Sequence, residues 1–172
     1  GEREVRRAVG VLEADPIRQA GGVGASARDL ELIREMLTPI TSHPCFFATW
    51  STKARTYAAR DGVALASSTT EAVANADLII CAVTAASTAA ASEQIARART
   101  KRAFVLDVNS ASPRTKTACA AVIEQTGGRY VEAAVMSSVP PHGIRVPMLL
   151  GGPHASALRP ALAELGFDAK VG

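Results

Sequence analysis

From residue 62 onward, short apolar runs alternate with segments that have the character of helices. LIICAV (Leu78 to Val83) is a continuous apolar run, and AFVLDV (Ala103 to Val108) is interrupted only by an aspartate. Runs of this kind are expected of strands that are buried on both faces. Further strands are predicted at GVALAS, RYVEAAVM and VPMLLGG. Strands that alternate with helices across short loops predict an α/β fold with a doubly wound parallel sheet.

Helix start and stop signals lie between these strands. Ser68 and Glu71 have the spacing of a capping box, and an alanine-rich helix is predicted from about Thr88 to Arg99. Ser112 and Pro113 suit an N-cap and a first helical residue. The helix that they begin should end at the Gly127-Gly128 pair, and HASALRPALAEL predicts a last helix before Gly166.

The first 51 residues give weaker signals. Residues 1–21 show no period, ARDLELIREMLTPI is amphipathic at helical spacing, and CFFATW could be a strand. GVGASA has the spacing of a dinucleotide fingerprint, so Gly22 and Gly24 are candidate phosphate-loop residues. The residues before Gly22 make a poor strand, and a chance occurrence remains the alternative. We therefore divide the chain into an ill-defined segment 1–51 and an α/β domain 52–172. A degenerate or poorly formed first βαβ unit is one interpretation of the first segment.

Composition argues against several classes of protein. The net charge of +3 in 172 residues is small and scattered, and no basic run interleaved with aromatic residues suggests a nucleic-acid binder. No apolar stretch has the length of a membrane span. Three widely spaced cysteines suit a reducing compartment, with the cytoplasm as the default. The three histidines follow no metal-ligand spacing.

Small or hydroxyl-bearing residues follow three of the predicted strands. They include Thr84 after Val83, Asn109 and Ser110 after Val108, and Ser137 and Ser138 after Met136. In open α/β sheets, ligands bind outside the carboxyl ends of the strands. At any single junction, the preference of Ser, Thr and Asn for turns and caps is a sufficient explanation. Three such junctions at one edge favour a ligand cleft.

The segment from FVLDVNSASPRTK to VPMLLGG resembles the cofactor domain of the β-hydroxyacid dehydrogenase superfamily, which includes 3-hydroxyisobutyrate and 6-phosphogluconate dehydrogenases. The resemblance covers roughly residues 52–171 and implies a Rossmann-like NAD(P)-binding domain. It implies that Val83 and Thr84 line the dinucleotide, and that Asn109 and Ser110 lie near the nicotinamide and the substrate. The family's substrate-binding segment falls on residues 132–139, where Ser137 matches and the usual glycine pair is replaced by SVPP.

The resemblance also implies an activity, which is hydride transfer between a nicotinamide and a small hydroxy acid. Ser138, His142 and Arg145 join Ser137 as candidate substrate contacts, because they occupy the divergent loop; exposure without a role is the alternative for His142 and Arg145. The family's catalytic lysine belongs to a helical domain that would follow Gly172. No catalytic residue is therefore assigned here, and the isolated chain is expected to be inactive.

Cofactor choice and assembly remain expectations at this point. No acidic residue follows CFFATW, whereas Lys53 and Arg55 come soon after it, and this favours NADP over NAD. Assembly into a homo-oligomer is expected to go through the helical domain. A non-catalytic nucleotide-binding remnant, or a regulatory Rossmann-like module, is the alternative to the enzyme.

Overall fold

The structure, a computed structural model, describes residues 8–12, 46–48, 64–98 and 101–172. In this part of the chain, eight strands form one sheet. The strands are β1 (Ala8–Leu12), β2 (Phe46–Ala48), β3 (Ala64–Ala66), β4 (Leu78–Ala82), β5 (Phe104–Asp107), β6 (Arg129–Val135), β7 (Met148–Gly151) and β8 (Ala169–Val171).

The described residues also form five α-helices and two short 3₁₀ turns. The helices are α1 (Thr69–Val73), α2 (Thr88–Arg97), α3 (Pro113–Gln125), α4 (Val139–His142) and α5 (Ala155–Glu164). The 3₁₀ turns span Ala85–Ser87 and Gly143–Arg145. Strand and helix alternate from β3 onward, as the sequence predicts.

The strand order across the sheet is β3-β2-β1-β4-β5-β6-β7-β8. The chain therefore builds outward from β1 to β3, then crosses back to place β4 on the other side of β1. This reversal is the topological switch point of a Rossmann-like sheet. Six of the seven strand pairs in the sheet are parallel, but β6 and β7 pair antiparallel. The predicted Rossmann-like doubly wound sheet is confirmed, and this pair is the one departure from parallel pairing among the described strands. The direction could not be predicted, because a hydrophobic run has the same pattern in either strand direction.

Strand β1 lies in the part of the chain where no element was predicted. Its sequence is AVGVL, and it pairs parallel with β2 on one side and with β4 on the other. Strands need only about five residues, so the flanking charged residues hide the signal in a longer window. The expected strand at CFFATW is confirmed as β2. Residues 13–45 and 49–63 lie outside the described residues.

The core has two layers, one on each face of the sheet. Successive residues of β4 point to opposite faces, so Leu78 and Ile80 pack in one layer while Ile79 and Cys81 pack in the other. The first layer is completed by residues of α4 and α5, and the second by residues of α1, α2 and α3. Burial on both faces explains why these strands read as continuous apolar runs.

The helix ends follow the signals in the sequence. The side chain of Ser68 accepts a hydrogen bond from the Glu71 N–H at 3.1 Å, and Ser112 accepts one from the Thr115 N–H at 3.2 Å. Helix α2 ends at Arg97, two residues earlier than predicted. After α3 the chain turns at Gly127, whose φ of +87° lies in the region that favours glycine.

Candidate functional site

The loops after β4, β5 and β6 lie at one edge of the sheet. These three strands are mutually parallel, so their carboxyl ends point the same way. Val83 and Thr84, Asn109 and Ser110, and Ser137 and Ser138 follow these ends. Strand β1 ends at the same edge, with Leu12 paired to Ala82. We call this edge, from β1 to β6, the carboxyl edge. The prediction that the three junctions share one edge is confirmed.

Asn109 connects the ends of β4 and β5. Its side-chain Oδ1 accepts a hydrogen bond from the Val83 N–H at 2.6 Å. Its Nδ2 donates to Asp107 Oδ1 at 2.7 Å and lies 3.5 Å from Cys81 Sγ. The residue is buried, with 6% of its surface exposed. Its side chain is therefore engaged with the protein, and contact between that side chain and a ligand stays a prediction.

Asp107 is the centre of a buried polar cluster. Its Oδ1 accepts hydrogen bonds from the Asn109 N–H at 2.9 Å and forms an ion pair with Lys116 Nζ at 3.1 Å. Its Oδ2 accepts from the Tyr130 hydroxyl at 2.6 Å. The exposed fractions of the Lys116 and Asp107 side chains are 5% and 1%. Charged groups that are buried to this extent are stable only when they are paired and hydrogen-bonded, as they are here.

Lys116 reaches this cluster from the first half of α3. Its Nζ also donates to the Asp107 carbonyl oxygen at 3.2 Å, and the half-exposed Glu132 carboxylate lies 3.9 Å away. Sequence reasoning did not identify Asp107, Lys116 or Tyr130 as a group. The one available signal was the carboxylate in the apolar run AFVLDV, since a buried charge requires a partner.

Two neighbouring groups keep their protons at neutral pH. Burial, followed by the hydrogen bond to Asp107, raises the pKa of Tyr130 well above its usual range. Burial, followed by the charge of Asp107, raises the pKa of Cys81 to about 12. Neither group is therefore suited to nucleophilic or acid–base chemistry near pH 7. Cys81 is a free cysteine that is buried in the core.

The loop after β4 leads through a 3₁₀ turn into helix α2. The Thr84 carbonyl oxygen accepts hydrogen bonds from the Ser87 N–H at 3.0 Å and from the Thr88 hydroxyl at 3.1 Å. The Thr84 hydroxyl donates to the Ser87 hydroxyl at 3.1 Å. Val83 and Thr84 are both partly exposed, so the loop is ordered by its own contacts and still open to solvent.

The connection from β6 to β7 also lies at the carboxyl edge, because the two strands are antiparallel neighbours. Ser137 and Ser138 are exposed before α4, His142 is exposed at the end of α4, and Arg145 is exposed in the 3₁₀ turn that follows. The structure thus places the four predicted substrate contacts on one connection. Val139, Ile144 and Val146 anchor this connection in the core.

Other candidate residues lie elsewhere. His154 precedes α5 at the opposite edge, with its Nε2 3.6 Å from Glu124 Oε1. Lys170 is exposed on β8. Gly22 and Gly24 lie outside the described residues. Strand β1 ends at Leu12, ten positions before Gly22, whereas a phosphate-binding fingerprint follows its strand directly. The role of these glycines stays a prediction.

No group of three or more His, Cys, Asp or Glu side chains in the described ranges could hold a metal ion. No helix among the same residues is both long and apolar enough to cross a membrane.

Comparison with known families gives one match in sequence. The family described as the NAD binding domain of 6-phosphogluconate dehydrogenase matches residues 31–166. This match begins upstream of residue 52, where the resemblance was expected to start. It covers most of the segment ARDLELIREMLTPI, whose predicted helix lies outside the described residues. No curated protein shows a significant match to the chain.

Solved structures share the fold at low sequence identity. A conserved hypothetical protein from Sinorhizobium meliloti is 24% identical with a TM-score of 0.78, and the match covers 99% of this chain and 55% of that one. The 3-hydroxyisobutyrate dehydrogenase from Mycobacterium tuberculosis is 19% identical with a TM-score of 0.75, and the match covers 98% of this chain and 54% of that one. An imine reductase from Myxococcus stipitatus, in complex with NAD⁺, is 16% identical with a TM-score of 0.72, and the match covers 97% of this chain and 53% of that one. The chain spans about half the length of these structures.

Proposed function

This chain belongs to the family of NAD-binding domains of 6-phosphogluconate dehydrogenase, and we propose that it binds NAD or NADP at its carboxyl edge. The dinucleotide contacts are assigned to the loop Val83–Thr84 and to the junction Asn109–Ser110. Gly22 and Gly24 are proposed as further contacts on the strength of their sequence pattern.

The observation that carries this proposal is the position of the two loops. The first loop follows β4, which flanks the switch point between β1 and β4, and the second follows β5, the next strand across the sheet. Ligands of open α/β sheets bind in the crevice at the switch point. The first loop leads through a 3₁₀ turn into the amino end of α2, where the helix dipole favours an anion such as a pyrophosphate. Ser110 is exposed beside it.

A titration with a charge substitution tests the site. The fluorescence of NADH or NADPH is followed as the polypeptide 1–172 is added. Three versions are compared, which are the wild type, Ser110→Glu and Ser156→Glu. Ser156 is exposed on α5, so it adds the same charge away from the carboxyl edge. We expect saturable binding to the wild type that Ser110→Glu weakens at least about tenfold, which corresponds to 1.4 kcal/mol. Equal affinity of the two variants would contradict the assigned position.

The preference for NADP is a second part of the proposal. It is supported by Lys53 and Arg55, which follow β2 within a few residues, and by the lack of an acidic residue there. Both lie outside the described residues. We expect NADPH to bind more tightly than NADH, and Lys53→Ala with Arg55→Ala to remove the difference. Tighter binding of NADH to the wild type would overturn the preference.

We also propose that the complete enzyme transfers hydride to or from a small hydroxy acid. The resemblance supports this, and one of the similar structures is described as a 3-hydroxyisobutyrate dehydrogenase. Ser137, Ser138, His142 and Arg145 are the proposed substrate contacts. The cationic Arg145 could pair with the substrate carboxylate, because it is exposed at the carboxyl edge.

The alternative, nucleotide binding without turnover, is favoured for the polypeptide 1–172 by the buried cluster. Tyr130 and Cys81 are buried and remain protonated, so neither can accept the substrate proton. We expect no reduction of NAD or NADP with 3-hydroxyisobutyrate, 6-phosphogluconate or related acids, measured by nicotinamide absorbance. Turnover by this polypeptide would show that it contains the acid–base group. Assembly into a homo-oligomer also stays a prediction, which size-exclusion chromatography can test.

A further inference from the structure

We propose that Asn109 is a positioning residue, which holds the Val83–Thr84 loop in place for the dinucleotide while Ser110 makes the contact. Asp107 in turn orients Asn109. This inference rests on the proposed function, because it assigns separate tasks to two residues of the same site. It replaces the expectation that the side chains of both residues face the ligand.

The first step is the orientation of the Asn109 amide. Its oxygen lies 2.6 Å from the Val83 nitrogen, and its nitrogen lies 2.7 Å from Asp107 Oδ1. A rotation of 180° would place the amide NH₂ against the Val83 N–H and the amide oxygen against a carboxylate. Both contacts would then be repulsive, so only one orientation satisfies the two partners.

The second step is the rigidity of Asp107. Its Oδ1 also accepts the Asn109 backbone N–H at 2.9 Å, which closes a small ring between the two residues. Lys116 supplies the opposite charge at 3.1 Å, and the Tyr130 hydroxyl occupies Oδ2 at 2.6 Å. Three residues therefore fix the position of the buried carboxylate, and this in turn fixes the direction of its hydrogen bond with the Asn109 amide.

The third step is what the Val83 bond does for the loop. The register of β4 with β5 ends at Cys81 and Asp107, and the Val108 N–H donates to the Cys81 carbonyl at 3.1 Å. Beyond that bond, the Asn109 side chain takes the place of the next backbone acceptor. It thereby extends the link between the strands by one residue, up to the start of the proposed cofactor loop.

The test separates positioning from stability. Hydrogen exchange of the Val83 amide is measured by NMR, and the dissociation constant of NADPH by titration, in the wild type, Asn109→Ala, Ser110→Ala and Ile123→Ala. Ile123 is buried near the end of α3, against Gly128 at the opposite edge of the sheet. Its aliphatic side chain makes no hydrogen bond to the Asp107 cluster, so its substitution lowers stability without removing a hydrogen bond of that cluster. Asn109→Ser, with a side chain too short to reach Val83, replaces Asn109→Ala if that variant does not fold.

We expect Asn109→Ala to speed exchange at Val83 and weaken NADPH binding, each by about three- to tenfold, the value of one hydrogen bond. Ser110→Ala should weaken binding without changing exchange at Val83, and Ile123→Ala should leave the affinity unchanged. If the wild type binds but Asn109→Ala behaves like Ile123→Ala in both measurements, positioning is refuted. If the wild type binds neither dinucleotide, the proposed function fails instead, and the assigned task of the loop fails with it.

Discussion

Replacement of Lys116 by methionine should destabilise the fold severely. Methionine has a similar length without the charge, so the Asp107 carboxylate would stay buried without its counter-ion. Lys116 Nζ lies 3.1 Å from Asp107 Oδ1, and the two side chains are 5% and 1% exposed. Removal of one partner from a buried ion pair costs about 3–5 kcal/mol. Tyr130 and Asn109 still donate to the carboxylate in the variant, so we expect a loss of about 3 kcal/mol, near the lower limit.

The loss is measured by equilibrium unfolding in urea, followed by circular dichroism. For a domain of this size, a loss of about 3 kcal/mol lowers the melting temperature by roughly 6–12 °C. Arg97→Met is the matched control, because Arg97 pairs with Glu93 at 3.5 Å on the surface, where the two side chains are 78% and 57% exposed. That variant should lose less than about 1 kcal/mol.

A second variant shows whether the loss comes from the unpaired charge. The double substitution Asp107→Asn with Lys116→Met removes both charges, and it should be more stable than Lys116→Met alone. Equal destabilisation by Lys116→Met and Arg97→Met, or a double variant less stable than Lys116→Met, would refute the assignment of a buried ion pair.

Two further predictions concern pH and a turn. The folded chain holds Cys81 and Tyr130 protonated, and the pKa of Cys81 is raised to about 12, whereas the unfolded chain loses these protons at lower pH. The contribution of these two groups to the free energy of unfolding is therefore fully present below about pH 9. It should fall by about 1.4 kcal/mol per group and pH unit above the pKa that each group has in the unfolded chain. Urea unfolding at pH 7 and pH 10 measures this fall, which Tyr130→Phe should reduce, and an equal free energy of unfolding at both pH values would contradict it. Gly127→Ala should lower the free energy of unfolding by about 1 kcal/mol, because φ is +87° at this position. The affinity for NADPH should stay unchanged, since Gly127 lies at the edge of the sheet opposite the carboxyl edge, and a change in affinity would contradict that placement.

The sequence predicts most of the element order and the position of the site, for identifiable physical reasons. Strands buried on both faces are continuous apolar runs, so β4 and β5 were found within one residue at each end. The carboxyl ends of parallel strands lie at the same edge of a sheet. The loops at Val83, Asn109 and Ser137 could therefore be assigned to one edge from the parallel direction of their strands alone. The family resemblance is confirmed by the match over residues 31–166.

The features that were missed depend on contacts between distant residues. Strand β1 is recognisable only from its pairing with β2 and β4, because its five residues are flanked by charges. The antiparallel direction of β7 leaves no trace in a hydrophobic pattern. The pairing of Asp107 with Lys116 requires α3 to pack over β5, so a lysine at a nominal helix surface position gave no sign of burial. For the same reason, the engagement of the Asn109 side chain could not be predicted.

The most direct test of the dinucleotide site is a map of amide shifts. The ¹⁵N-labelled polypeptide 1–172 is titrated with NADPH, and its amide resonances are followed in heteronuclear correlation spectra. We expect the largest changes at Val83, Thr84 and Ser110, and little change at Gly128 and Gly152, which lie at the opposite edge of the sheet. Saturable changes centred on Gly128 and Gly152, or none at millimolar NADPH, would contradict a dinucleotide site at the carboxyl edge.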